Sequence, residues 1–145
     1  QRLGDVDGAR ELLRRVLDEA PRDVVAALSL ADVLLDAEPV PPEDAEAVVR
    51  MTAGAENETA VHAALLLEKA RALRMLDMPE AAVATLTRAW RRRKDRPADL
   101  LRRIRYERAL AYAESDRADR ARRELQAIYA EAPDYEDVAE RLGRG

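Results

Sequence analysis

Apolar residues along this chain recur at helical spacing, and the phase of the pattern resets at intervals close to 39 residues. Ala31, Ala70 and Ala109 stand 39 apart, each preceded at three positions by Leu28, Leu67 or Tyr106 and followed at three by Leu34, Leu73 or Tyr112. A second series, Ala9, Ala45, Ala82 and Ala121, interleaves with the first at spacings of 36, 37 and 39. Four positions beyond its members come Leu13, Val49, Leu86 and Leu125, and eight beyond come Leu17, Ala53, Trp90 and Tyr129. Residues three, four and eight apart share one face of an α-helix, so the two series mark alternate helices. A unit of this length buries its apolar face only against its neighbours, which predicts an all-α solenoid of antiparallel helix pairs. No window alternates with period two for long enough to suggest a strand.

Breaks in the pattern set the predicted helices. Gly4 and Asp5 lead into a helix to about residue 20, closed by Pro21, and Asp23 caps a second one to about residue 37. The stretch Glu38-Pro39-Val40-Pro41-Pro42 is not helical, since proline lacks a backbone donor and biases the preceding residue toward extended geometry. Pro42, with Glu43 and Asp44 after it, opens a third helix to about residue 53, and Asn57 or Thr59 begins a fourth to about residue 75. Asp77-Met78-Pro79-Glu80 starts a fifth that carries Trp90, with Arg91–Lys94 in its last turn. A sixth follows Pro97 to about residue 114, a seventh spans 117–131 before Pro133, and a short eighth covers Tyr135–Leu142. The chain is then one domain over 1–145, with units at about 1–22, 23–56, 57–95 and 96–133 and a terminal helix at 134–143.

These residues resemble the tetratricopeptide repeat, in which a small residue lies midway in the first helix, an Ala near the start of the second, and a Pro twelve positions after that Ala. Pro21 and Pro133 stand twelve after Ala9 and Ala121, and the best local matches are Gly4–Pro21 and Tyr106–Pro133. The resemblance implies a superhelix of about three and a half repeats plus a short C-terminal helix. The chain departs from the family in its longer units, the Pro-rich insert and the missing turn Gly of the later repeats. Asn57 and Lys94 replace the expected Pro, and Lys69 and Arg108 stand where Leu is usual. The family's first helices line a concave face, which here would hold Val25, Leu28, Asp32, Leu35, Ala64, Leu67, Arg71, Arg74, Arg103, Tyr106, Leu110 and Ala113.

Composition narrows the chemistry. Ala and Leu dominate an apolar fraction of 48%, Phe is absent and aromatics make up 3%. The absence of Cys excludes disulfides, thiolate metal sites and a Cys nucleophile, and fits a reducing, cytoplasmic setting. Arg outnumbers Lys 23 to 2, a bias of GC-rich bacterial coding. The longest uncharged stretch of a helical region, from Thr59 to the break at Glu68, is far short of a membrane span. The chain opens at Gln1 inside a repeat, so it reads as a piece with more helical sequence upstream. The stripe Ala9, Leu12, Leu13, Val16 and Leu17 would then be partly uncovered, a route to a homo-oligomer through the N-terminal end.

Charge is segregated: residues 1–87 carry 9 basic and 17 acidic groups, residues 88–123 carry 14 and 6, and residues 124–145 carry 2 and 6. Such a dipolar chain attracts acidic peptides to its basic part. The net charge of −4 and the few stacking rings near that part argue against nucleic acid. Arg91–Lys94 also suits a helix C-terminus electrostatically. His62 is the only histidine and has no Cys or second His to share a metal. Asp32 and Asp36 lie one turn apart, where Arg71 or Arg74 of the next unit pairs with them more readily than catalysis would use them. Trp90, Tyr106, Tyr112 and Tyr129 fall at packing positions. No phosphate loop, Ser–His pairing or H-E-x-x-H is present, so neither a catalytic residue, a metal nor a cofactor is expected. The expected function is a non-enzymatic scaffold holding a peptide or partner protein, acidic in character, in its concave groove. Arg71, Arg74, Arg103 and Tyr106, with Leu67 and Leu110, are the expected contacts. The alternative is a regulatory or self-assembly segment of a larger protein, packed on its own upstream domain.

Overall fold

The computed structural model describes residues 3–19 and 23–144, without the side chains of residues 3–6 and 9. Eight helices follow one another: α1 (Leu3–Glu19), α2 (Val24–Leu35), α3 (Pro42–Met51), α4 (Ala60–Met75), α5 (Pro79–Trp90), α6 (Ala98–Glu114), α7 (Ala118–Glu131) and α8 (Val138–Arg141). No strand occurs among the described residues. The start signals act as expected. The Asp23 side chain accepts from the Ala26 N–H at 3.0 Å, and Pro42 and Pro79 occupy first-turn positions that need no donor. Thr59 caps α4 reciprocally with His62: the Thr59 hydroxyl accepts from the His62 N–H, and His62 Nδ1 accepts from the Thr59 N–H, both at 3.2 Å. That capping box gives the lone histidine a structural job.

The missing turn glycines are replaced by aspartates. Asp77 and Asp116, 39 residues apart, take φ of 60° and 59° at the ends of α4 and α6. Short polar side chains tolerate this left-handed region better than most. It lets the Met78 N–H reach the Leu73 carbonyl and the Arg117 N–H the Tyr112 carbonyl, each at 2.9 Å. Those reversals close the helices as a C-terminal glycine would.

Packing is strictly local. The first helices of the pairs, α2, α4 and α6, lie side by side, while each second helix contacts only its own partner and the first helix of the next pair. Ala31, Ala70 and Ala109 are buried where these helices meet, as are Ala45, Ala82 and Ala121 in the second helices. The side chain of Ala9 and all of Pro21 lie outside the described residues. Between the alanines sit Leu34, Leu35 and Val48 in the first part of the core, Leu66, Leu73, Leu86 and Ile104 in the middle, and Leu125, Ile128, Val138 and Leu142 at the end. Ala109→Leu should overpack its contact and lower stability by about 1–3 kcal/mol. Chemical denaturation checks this, and an unchanged midpoint would mean the alignment of repeats is wrong.

Three sequence expectations need correction. Helix α5 stops at Trp90, so Arg91 is its C-cap and residues 92–94 lie beyond its last turn. Tyr129 is 37% exposed rather than core, because α7 ends the stack of full-length helices and only the short C-terminal segment lies beside it. The eighth helix is only Val138–Arg141, since residues 134–137 form turns with Glu136 at positive φ.

Candidate interaction groove

The side-by-side first helices present one stripe each: Leu28 and Asp32 on α2, Ala64, Leu67 and Arg71 on α4, Arg103, Tyr106 and Leu110 on α6. Leu67 and Tyr106 are buried, Leu110 is half-buried, and Asp32 and Ala113 are exposed. The expected arginines do lie along this face, and each is already engaged across a helix boundary. Arg71 holds Glu68 on its own helix at 2.9 Å and Asp36, the C-cap of α2, at 4.0 Å. Arg74 donates to Glu107 of α6 at 2.8 Å and grips both oxygens of Glu114 at 3.0 and 2.7 Å, a two-pronged contact that the planar guanidinium favours. Burial opposes the charge of Arg74, but these two carboxylates outweigh it and raise its pKa. Arg103 reaches Glu136 at 3.4 Å.

Tyr106 is covered by the segment before α8. Its hydroxyl donates to Asp137, its ring meets Tyr135 edge-on with centroids 5.7 Å apart, and Asp137 also receives Arg141 at 2.9 Å. Burial and the adjoining carboxylate push the phenol up to about 12, while the donated hydrogen bond holds Asp137 below the usual carboxylate range. Tyr135 is raised by burial. The C-terminal turn thus occupies the place a further first helix would take.

Two residues missed in the sequence organise the face. Glu68 and Glu107 stand 39 apart, each two positions before a small alanine, and both are buried. Their shared register within otherwise apolar stripes was the available signal. Burial, aided by a hydrogen bond with Asp32, pushes Glu68 up to about 8 despite Arg71. Behind α6 a second cluster forms, where Glu124 of α7 accepts from Arg105 Nε at 2.8 Å and Arg108 Nε at 2.9 Å. Lone His62 is used in the cap, and among the described residues no group of three or more His, Cys, Asp or Glu side chains is arranged to hold a metal ion. No helix of the described residues is long and apolar enough to cross a membrane.

No family model and no curated protein matches the sequence. Two crystal structures of MamA, a tetratricopeptide-like helical protein, are similar to it in structure, with TM-scores of 0.75 and 0.74 and 21% identity in each case. Both comparisons cover 97% of this chain, and 76% and 71% of the MamA chains. The fold is a tetratricopeptide-like α-solenoid. At that identity the likeness concerns the path of the backbone alone.

Proposed function

We propose that this solenoid is a non-enzymatic interaction scaffold that docks a segment of a partner protein along α2, α4 and α6. The supporting observation is the arrangement of the Arg74 and Arg103 pairs. Each arginine has one partner that is only partly buried, Glu114 at 44% and Glu136 at 46% side-chain exposure. A carboxylate of an acidic segment exchanges with Glu136 at little cost, because exposed ion pairs contribute only about 0–1 kcal/mol each, whereas Glu114 yields only to a carboxylate that offers Arg74 the same two oxygens. Half-buried Leu110 supplies the apolar contact over a floor in which Leu67 and Tyr106 are buried, and Arg71 flanks it. Electrostatic attraction of this kind weakens as salt rises. A peptide-array screen tests the reading: Glu114→Gln/Glu136→Gln should strengthen capture of acidic segments several-fold, and Arg71→Ala/Arg103→Ala should weaken it. No change in either variant would move recognition off this face.

A second reading, self-assembly or packing against another part of a larger protein through α1, is favoured by Leu12, which is 61% exposed, with Leu13, Val16 and Leu17 only half-buried beside it. Leu12→Asp would then abolish concentration-dependent association in sedimentation runs, and a monomer at all concentrations would remove this reading.

A further inference from the structure

Residues 88–96 contain six cations, Arg88, Arg91, Arg92, Arg93, Lys94 and Arg96, against the single acid Asp95. The arginines of the groove and of the α6–α7 cluster all have carboxylate partners. Among the described residues, none of these six does within 4.0 Å. Four of them are nevertheless held in place. Arg88 donates to the Ala55 carbonyl, Arg92 to the Asn57 carbonyl at 3.2 Å, and Arg96 to the Asn57 carbonyl at 3.2 Å and its side-chain oxygen at 3.1 Å. Arg93 lies over the Trp90 ring at 4.8 Å. Carbonyl oxygens orient a guanidinium without neutralising it, and each group keeps N–H donors to spare. These cations do not complete the end of α5 either. The Asn57 amide already donates to the Arg88 and Ala89 carbonyls at 3.0 and 3.3 Å.

We infer that this edge, formed by the turn after α5 and the 55–57 loop, is a docking site for an acidic segment of a partner protein, separate from the groove. Exposed Glu56 shares this edge but pairs with none of the six within 4.0 Å, and the four oriented guanidinium groups are suited to carboxylates, which they bind in two-pronged fashion. A short peptide is favoured over a nucleic acid on two counts. Trp90, the one aromatic ring of the edge, already carries Arg93, Arg105 and Arg108 within 6 Å and has little face left for a base. The net charge of residues 1–87 is −8, which repels a long polyanion. A peptide confined to the edge is shielded from that field beyond a screening length of about 8 Å.

The test is a fluorescence-anisotropy titration with a labelled polyglutamate peptide, run on the whole chain. Arg91 and Lys94 are exposed, and their side chains make no hydrogen bond. Arg91→Glu/Lys94→Glu should therefore keep the parent circular dichroism and thermal midpoint while raising Kd about tenfold or more. If charge reversal perturbs the fold, Arg91→Gln/Lys94→Gln gives the same comparison with a smaller loss. The loss should persist in the Arg71→Ala/Arg103→Ala background, where only the groove is weakened. The assignment is overturned if the parent does not bind the peptide, if the edge variants bind as the parent does, or if the loss disappears in the Arg71→Ala/Arg103→Ala background. Tighter binding of a single-stranded oligonucleotide of equal charge would overturn the choice of occupant. Failure of the groove reading leaves the edge result untouched, since the two variant pairs share no residue.

Discussion

Glu124→Ala should destabilise the chain by about 3–5 kcal/mol, the cost of removing one partner from a buried ion pair. Its side chain is 11% exposed and holds two guanidinium groups, one of which, on Arg108, is itself only 9% exposed at 2.6 Å. Without the carboxylate, Arg108 keeps a 3.4 Å contact to Thr87 and the faces of Trp90 and Tyr112, none of which carries a full negative charge. Arg105, more exposed, recovers water instead. Against a total stability of about 5–15 kcal/mol for such a domain this is a large fraction. Urea denaturation measures it. Arg108→Leu/Glu124→Leu should recover most of the loss, because apolar residues of similar volume replace buried ion pairs at little cost. Equal destabilisation of the single and double variants would show that the charge pair is not what holds α6 to α7.

The second large effect is pH dependence at Glu68, which faces Asp32 and Asp36 of α2 and Arg71 of its own helix. Burial raises its folded pKa from 4.5 to about 8, so between those values the folded state binds a proton that the unfolded chain has released. Stability from this group is complete below about pH 4.5 and is lost as pH climbs through about 8. Glu68→Gln keeps a neutral side chain at every pH. It should stabilise the protein by about 2–4 kcal/mol at pH 9 and change little at pH 4.5. Thermal unfolding across that range decides it: a variant whose gain is equal at both ends of the range would place the ionised form of Glu68 comfortably in the fold.

The architecture was readable because the repeat alanines impose it. A methyl side chain at residues 31, 70 and 109 is a backbone requirement, and such requirements recur in register wherever helices touch. Helix starts were equally plain, since Asp23, Pro42, Thr59 and Pro79 act on neighbours within a turn. The end of α5 was misplaced because its terminating group, Asn57, lies 31 residues away from the carbonyl it caps. The expected groove arginines lie on α4 and α6, but their engagement with Glu107, Glu114 and Glu136 spans 33 to 40 residues. No local pattern records such pairings. Only the shared register of Glu68 and Glu107 hinted that charge would be carried inside the stack.

Contacts that run only to the next helix or the next pair also govern how the molecule opens. Each boundary is crossed by its own set of side chains, so the stack behaves as a row of coupled units rather than a single all-or-none body. α4 and α5, flanked on both sides, should hold their amide protons longest against deuterium. α8 is a single turn at one end of the stack and α1 meets α2 alone among the helices, so both should exchange first. A fraying front would then travel inward from either terminus, freeing the Tyr106 side of the groove before the Leu67 side.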